Sequence, residues 1–203
     1  MTPAESSTKF NVLGVGSSLR ERSYSTSGLK LLLSKAKSKM AETRLLDLRQ
    51  TNLPMLYSTR EDTEEIVQAT KLVKWADAFV LASPDYHGSM SGSLKNFLDY
   101  FWSEFAGKTF GYIVASHEKG LTVMDQMRTA VRQCYGWSLP YGISINSEED
   151  FNHKMELINK KLMSRLDMMA RDLVVYGKLL RGQFVNDLGQ KAPVNTFAAY
   201  YKS

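Results

Sequence analysis

Ala78-Phe79-Val80-Leu81-Ala82-Ser83, closed by Pro84, is the stretch on which the fold turns. A run that is apolar at odd and even positions alike marks a strand buried on both faces, as in a parallel sheet covered by helices. The chain repeats the pattern on either side. Upstream, Phe10-Asn11-Val12-Leu13-Gly14-Val15-Gly16 reads as a buried first strand and Arg44 to Leu48 as a short second one. Downstream, Thr109 to Ser116 reads as the fourth strand and Pro140 to Ile145 as a short fifth. Helical patterns fill the intervals, from about Ser25 to Lys39, Thr63 to Trp75, Ser91 to Phe101 and Leu121 to Tyr135. Glu64 and Glu65 place acid in the first turn of the second helix, as its dipole favours. A last helix is predicted from Phe151, Met155, Ile158, Leu162, Leu166, Met169, Leu173, Tyr176 and Leu180, one apolar stripe at spacings of three and four.

Five strands and five helices in alternation predict an α/β fold, a flavodoxin-like three-layer sandwich. Its five-stranded parallel sheet would run in the order 2-1-3-4-5 with helices on both faces. The 203 residues suffice for a single domain over 1–203, with residues 1–8 expected to be disordered and 181–203 to form a C-terminal tail. Hydrophobic residues at 43% and charged ones at 23% fit an ordered globular chain. No apolar run approaches the roughly 20 residues that span a bilayer, so no membrane partner is expected. The polar start and the single cysteine, Cys134, point to a cytoplasmic protein without disulfides. The net charge of +5 lies wholly beyond Phe151, where 9 Lys+Arg face 4 Asp+Glu. Those cations are interleaved with acids and no nucleic-acid motif accompanies them, so a solvated helix face is expected and no nucleic-acid partner.

In such a sheet a ligand binds outside the carboxyl ends of the strands, at the switch point beside the first. Three loops lie there. The first is Gly16-Ser17-Ser18-Leu19-Arg20-Glu21-Arg22-Ser23-Tyr24-Ser25. Its hydroxyls, Arg20 and the N–H groups of a helix start suit a terminal phosphate dianion. The dinucleotide fingerprint fails, because Leu19 stands where its third glycine belongs, and the Gly-Lys-Ser/Thr ending of a P-loop is missing. The second loop and the helix after it read Ser83-Pro84-Asp85-Tyr86-His87-Gly88-Ser89-Met90-Ser91-Gly92-Ser93-Leu94-Lys95-Asn96-Phe97-Leu98-Asp99. The third is Ser116-His117-Glu118-Lys119-Gly120.

The second segment resembles the NAD(P)H-dependent FMN reductase family, whose third strand ends in Pro-Glu-Tyr-Asn-Gly-Ser before Leu-Lys-Asn-Ala-Leu-Asp. Asp85 replaces the acid and His87 the asparagine. The first segment is similar to that family's Gly-Ser-x-Arg-x-x-Ser phosphate loop through Ser17, Ser18, Arg20 and Ser23, with Tyr24 and Ser25 next in the helix start. The resemblance covers about Phe10 to Ile145. It implies FMN as cofactor and NADPH or NADH as co-substrate. The acceptor would be a small molecule such as a flavin, a quinone, an azo compound or a metal ion, reduced by a ping-pong mechanism. It also implies that Pro84, Asp85, Tyr86, His87 and Gly88 lie along the flavin ring, with Ser116, His117 and Gly120 at its pyrimidine side. The third loop departs from the family, being poorer in glycine, and its bulky residues would fold outward or reshape the rim. A homodimer or homotetramer is implied, with Asn52 to Asp62 and the helices near the flavin drawn from two chains.

Other readings compete. Flavodoxin-type carriers share the fold but are acidic and lack an arginine in the phosphate loop. A response-regulator receiver needs clustered acids after strand one, where this chain has Gly16-Ser17-Ser18. A flavin-dependent redox sensor or partner-binding subunit remains a third reading. His87 is either a proton donor or a loop residue in asparagine's place. His117 and Glu118 are adjacent with no third ligand nearby, so no metal site is expected. Cys134 reads as core, and Trp75, Trp102 and Trp137 as helix-end packing.

Overall fold

The computed structural model describes residues 9–58, 62–189 and 195–200. In chain order the elements are β1 (Phe10–Gly16), α1 (Tyr24–Ser38), β2 (Ala41–Asp47), α2 (Leu48–Thr51), α3 (Glu64–Trp75) and β3 (Ala78–Pro84). Then follow α4 (Gly92–Asp99), a 3-10 turn at Ser103–Phe105, β4 (Thr109–Ala115), α5 (Leu121–Gln133), β5 (Trp137–Ser138) and β6 (Ile143–Ile145). The chain continues through α6 (Ser147–Asp150), α7 (Lys160–Gly189) and α8 (Phe197–Tyr200). The sheet is parallel in the order β2-β1-β3-β4-β5, with β6 also on β4, so the expected order 2-1-3-4-5 is the one observed.

Side-chain alternation divides the core into two layers. Val12, Val80, Ala82 and Ile113 face α1 and α7, while Leu13, Val15, Phe79, Leu81, Phe110, Tyr112 and Val114 face α3, α4 and α5. The first face is lined with small residues where helices cross it. A Cβ on Gly14 would come within 2.7 Å of Leu33 Cδ1, and one on Gly111 within 3.1 Å of Met169 Sδ. These glycines let α1 and α7 lie close on the sheet.

Four expectations need correction. The second strand starts at Ala41, three residues before Arg44, after a tight turn at Met40 (φ +67°). The fifth strand is split in two. Leu139 N–H still donates to Phe110 O at 2.9 Å, but Pro140 has no N–H and the ladder resumes only at Ile143. The last helix begins at Lys160, not Phe151. Asn152 Oδ1 accepts from the N–H groups of Lys154 (2.9 Å) and Glu156 (3.0 Å), and Asn159 Oδ1 from Lys161 (2.9 Å) and Leu162 (3.3 Å). Such side-chain bonds compete with a helix through residues 151–159, so Phe151, Met155 and Ile158 share the helical spacing by coincidence. Finally, 181–189 belongs to α7 and not to a tail, with Phe184 packed on Ala106 and Ala198. Of the tryptophans, Trp75 packs on the core and against Arg44, whereas Trp102 is exposed. Residues 1–8, expected to be disordered, lie outside the described residues, as do 190–194 and 201–203 of the expected tail.

Candidate active site

The carboxyl ends of β1, β3 and β4 and the starts of α1 and α5 open on one cavity of about 750 Å³. That is the size of a cofactor site. Ser18, Arg20, Ser23, Tyr24, Ser25, Pro84, Asp85, Tyr86, His87, Gly88, Ser116, His117 and Gly120 all line it, so three loops distant in sequence meet there. Ser17 does not. It is fully buried, its hydroxyl donates to Ala82 O (2.9 Å), and its oxygens accept from the hydroxyls of Ser91 (2.8 Å) and Ser93 (2.6 Å). Ser17 therefore ties the end of β1 to β3 and α4, and Ser18 is the loop serine on the cavity wall.

The first wall is a helix start. Ser23 caps α1 by accepting from Thr26 N–H (3.2 Å). That leaves the Tyr24 and Ser25 N–H groups with no partner inside the helix. Ser18 Oγ accepts from Arg20 N–H (3.3 Å), which folds the loop back toward the strand end. The Arg20 guanidinium lies 5.7 Å from the centroid of the Tyr86 ring. Thr26 Oγ1, in the same first turn, is buried with no partner among the described residues. The Tyr24 and Ser25 N–H groups, the Arg20 cation and the helix dipole thus share one wall of the cavity, and such a donor set suits a phosphate dianion.

The second wall is a tight turn. Tyr86 and Ser89 exchange backbone hydrogen bonds of 3.0 and 3.1 Å, and the two residues between them, His87 (φ +55°) and Gly88 (φ +74°), are both left-handed. This is the backbone of a type I′ turn, which favours Asn-Gly. Asp85 braces it, accepting from Gly88 N–H (2.8 Å) and from the Ser116 hydroxyl (2.8 Å) and so joining the loops after β3 and β4. Within residues 85–91 the other N–H groups of the turn all have protein acceptors. The His87 N–H has none among the described residues and stays available to a ligand.

The third wall, Ser116 to Gly120, reshapes the rim. His117 and Glu118 line the cavity, and the Glu118 N–H donates to Ser116 Oγ (3.1 Å). Gly120 (φ +59°) approaches β4 so closely that a Cβ would lie 2.4 Å from Val114 Cγ1. Sequence reasoning did not single out Arg22, Leu121, Thr122 and Ser147 on the lining, nor the buried serines and Gln126 behind it. The Ser91 capping pattern before Leu94 was visible; the others carry no local signal. No group of three or more metal-ligating side chains exists among the described residues.

Residues 10–150 match the family model for NADPH-dependent FMN reductases. The chain belongs to that family. This FMN reductase relative is 39% identical to an NADPH azoreductase of Bacillus sp. (strain OY1-2) over 105 residues, 49% of this chain and 58% of that protein. It is 29% identical to an FMN-dependent NADPH-azoreductase of Staphylococcus aureus (strain USA300) over 144 residues, 65% of this chain and 74% of that one. Among solved structures it is similar to FerB, a flavoenzyme NAD(P)H:(acceptor) oxidoreductase from Paracoccus denitrificans. That match has a TM-score of 0.70 and 17% identity over 85% of this chain and 98% of FerB, a likeness of fold. The family's cofactor is FMN and its co-substrate a reduced nicotinamide. The unpaired N–H groups at the start of α1 and the turn with a free N–H have the chemistry to meet the two ends of that cofactor.

Proposed function

We propose that this chain is an FMN-dependent oxidoreductase that takes hydride from NADPH or NADH and passes electrons to a small acceptor. The acceptor class is a flavin, a quinone, an azo compound or an oxidised metal ion. One observation carries the reading: the start of α1, with its unpaired N–H groups, and the type I′ turn at Tyr86–Ser89 face one cavity at the switch point of the sheet. FMN bound there supplies the hydride chemistry that no side chain of the site offers. Ser18, Arg20 and the N–H groups of Tyr24 and Ser25 hold its phosphate. Pro84 to Gly88 form the wall for its ring, and the His87 N–H is the donor for an acceptor atom on the ring edge. His117 and Glu118 narrow the opposite rim and limit the size of what enters. Nicotinamide and acceptor use the same mouth in turn, which makes the kinetics ping-pong.

The working form is a homodimer or homotetramer in the cytoplasm. Support comes from the loop after β2, where Asn96 accepts from Leu56 N–H (2.9 Å) and donates to Pro54 O (2.8 Å) while Met55 and Tyr57 stay exposed. FMN titration, cofactor extraction and steady-state oxidation of NADPH and NADH with each acceptor class test the proposal. FMN uptake with parallel double-reciprocal lines is expected. Uptake of FAD alone, or of no flavin, overturns it, and a monomeric mass by light scattering at micromolar concentration overturns the assembly.

A further inference from the structure

We infer that Gln126 is a positioning residue for the cofactor turn, fixing it against α5 through both ends of its amide. Oε1 accepts from the Met90 N–H (3.0 Å) and the Ser89 hydroxyl (3.1 Å), while Nε2 donates to the Gly88 carbonyl (3.3 Å). Gly88 and Ser89 belong to the turn and Met90 follows it, Gly88 lining the cavity, and Gln126 sits on the helix whose start, with Gly120 and Thr122, lines the cavity too. The side chain therefore joins the turn to that helix, outside the lining itself.

The turn needs such a hold. Asp85 and the Tyr86–Ser89 pair close it internally, and the Asp85–Ser116 bond ties only its first residue to the loop after β4. Its two left-handed residues persist only where the surroundings determine them. Gln126 engages the far side of the turn. By fixing the Gly88 carbonyl it fixes the orientation of the neighbouring His87–Gly88 segment, which carries the one free N–H. A side-chain amide can accept twice and donate without carrying charge. A carboxylate in its place accepts but cannot donate, and it would repel the Gly88 oxygen.

This role rests on the FMN reading, so its test has an arm that needs no flavin. Gln126→Leu removes all three bonds, and Gln126→Glu keeps the two accepting ones. In the apo protein, amide hydrogen exchange over residues 84–91 should be faster in Gln126→Leu than in wild type, with exchange in β1 and β4 unchanged. FMN affinity should fall by about tenfold, as expected for the loss of a small group of neutral hydrogen bonds. Gln126→Glu should bind weakly at pH 8 and regain affinity relative to wild type only toward pH 4, where a glutamate carboxyl, ordinarily titrating at about 4.3, takes up a proton and donates to the Gly88 carbonyl again. Unchanged exchange together with affinities within twofold of wild type in both variants would overturn the inference. A Gln126→Glu deficit that is unchanged between pH 8 and pH 4 would overturn the donor role. Failure of the wild type to bind FMN would instead sink the cofactor reading, and the exchange measurement would still decide whether Gln126 holds the turn.

Discussion

At His87 and Gly88 the backbone, more than the side chain, decides what the site can be. Both residues are left-handed, and among the described residues no atom beyond its own chain neighbours lies within 4 Å of a Cβ built on Gly88. The strain of a substitution there would come from φ, and any clash from the ligand. A β-branched residue in the left-handed region costs about 1–3 kcal/mol. Gly88→Val is therefore expected to lose FMN and to lower the melting temperature of the apo protein. Asparagine and histidine both tolerate positive φ better than most residues, which explains how His87 can occupy the first left-handed position of the turn. His87→Asn should retain flavin and most nicotinamide oxidation. If it keeps flavin but loses turnover by orders of magnitude, the imidazole is a proton donor and not a turn residue. Arg20→Ala should weaken FMN by about 1.5–3 kcal/mol, roughly tenfold to hundredfold, by removing a charge-assisted bond. An unchanged affinity in titration would mean that Arg20 serves only its contact with Tyr86. The sequence made the lining of the three loops legible because each motif is local. It misassigned Ser17, which looks like a phosphate ligand but ties three elements together, and it was silent on Gln126. That residue meets the turn from 36 positions away or more.

Among the elements, the central strand was easier to read than the ends of the last helix, for a physical reason. A strand buried on both faces, such as β3, is apolar at odd and even positions alike; its seven residues are all buried, and a run that short, closed by Pro84, fits a strand better than a helix. Helical spacing is weaker evidence, because a loop can place apolar residues three and four apart by chance. Phe151 is buried against Tyr24, with ring centroids 5.6 Å apart, yet lies outside α7. Within the helix the stripe holds at Leu162, Leu166, Met169 and Leu173, then passes to Gly177 while Tyr176 turns to solvent. A Cβ on Gly177 would come within 2.5 Å of Phe10 Cζ, so glycine takes the buried position where α7 crosses the sheet. The helix thus makes a testable contrast along its own length. Leu166 is fully buried, and Leu166→Ala should cost about 2–5 kcal/mol. Leu179 is exposed, and Leu179→Ala should change stability by about 0.5 kcal/mol or less. Urea midpoints for the two variants check this. Equal losses would mean that Leu179 is covered in solution, as it would be in an oligomer built on α7.

Taken whole, the molecule separates a ligand end from a bracing end, and the bracing end contains a buried charge. Lys108 precedes β4, at the end of the strands opposite the cavity, and its ammonium donates to Val73 O at 2.8 Å beneath α3. Burial, followed by repulsion from Arg181, pushes its pKa down from 10.5 to about 8, while Asp77 and Glu104 pull it back up. Arg181 reaches Asp77 at 3.6 Å, so α7, β4 and the approach to β3 meet around this lysine. The direction of the pH effect follows from proton counting. Below about pH 8 the amine is charged in both folded and unfolded chains, and the cost of burying it is fully present. Between about pH 8 and 10.5 only the unfolded chain stays protonated, so this group adds stability as pH rises. Cys134, Tyr112 and Tyr141 act in the opposite sense, since burial raises each of them and their contribution is lost as pH rises. The raw stability curve therefore mixes both signs, and the comparison must be with Lys108→Met, which keeps the opposing groups. That variant also strands the Val73 carbonyl at a cost of about 1–3 kcal/mol, but this offset does not depend on pH. The slope carries the test. From pH 7 to 9.5 the wild type should gain on Lys108→Met by on the order of 2 kcal/mol in urea unfolding. Parallel curves would show that the ammonium remains hydrated in the folded protein. FMN affinity should be the same in both proteins at pH 7, because the lysine and the cavity lie at opposite ends of the strands.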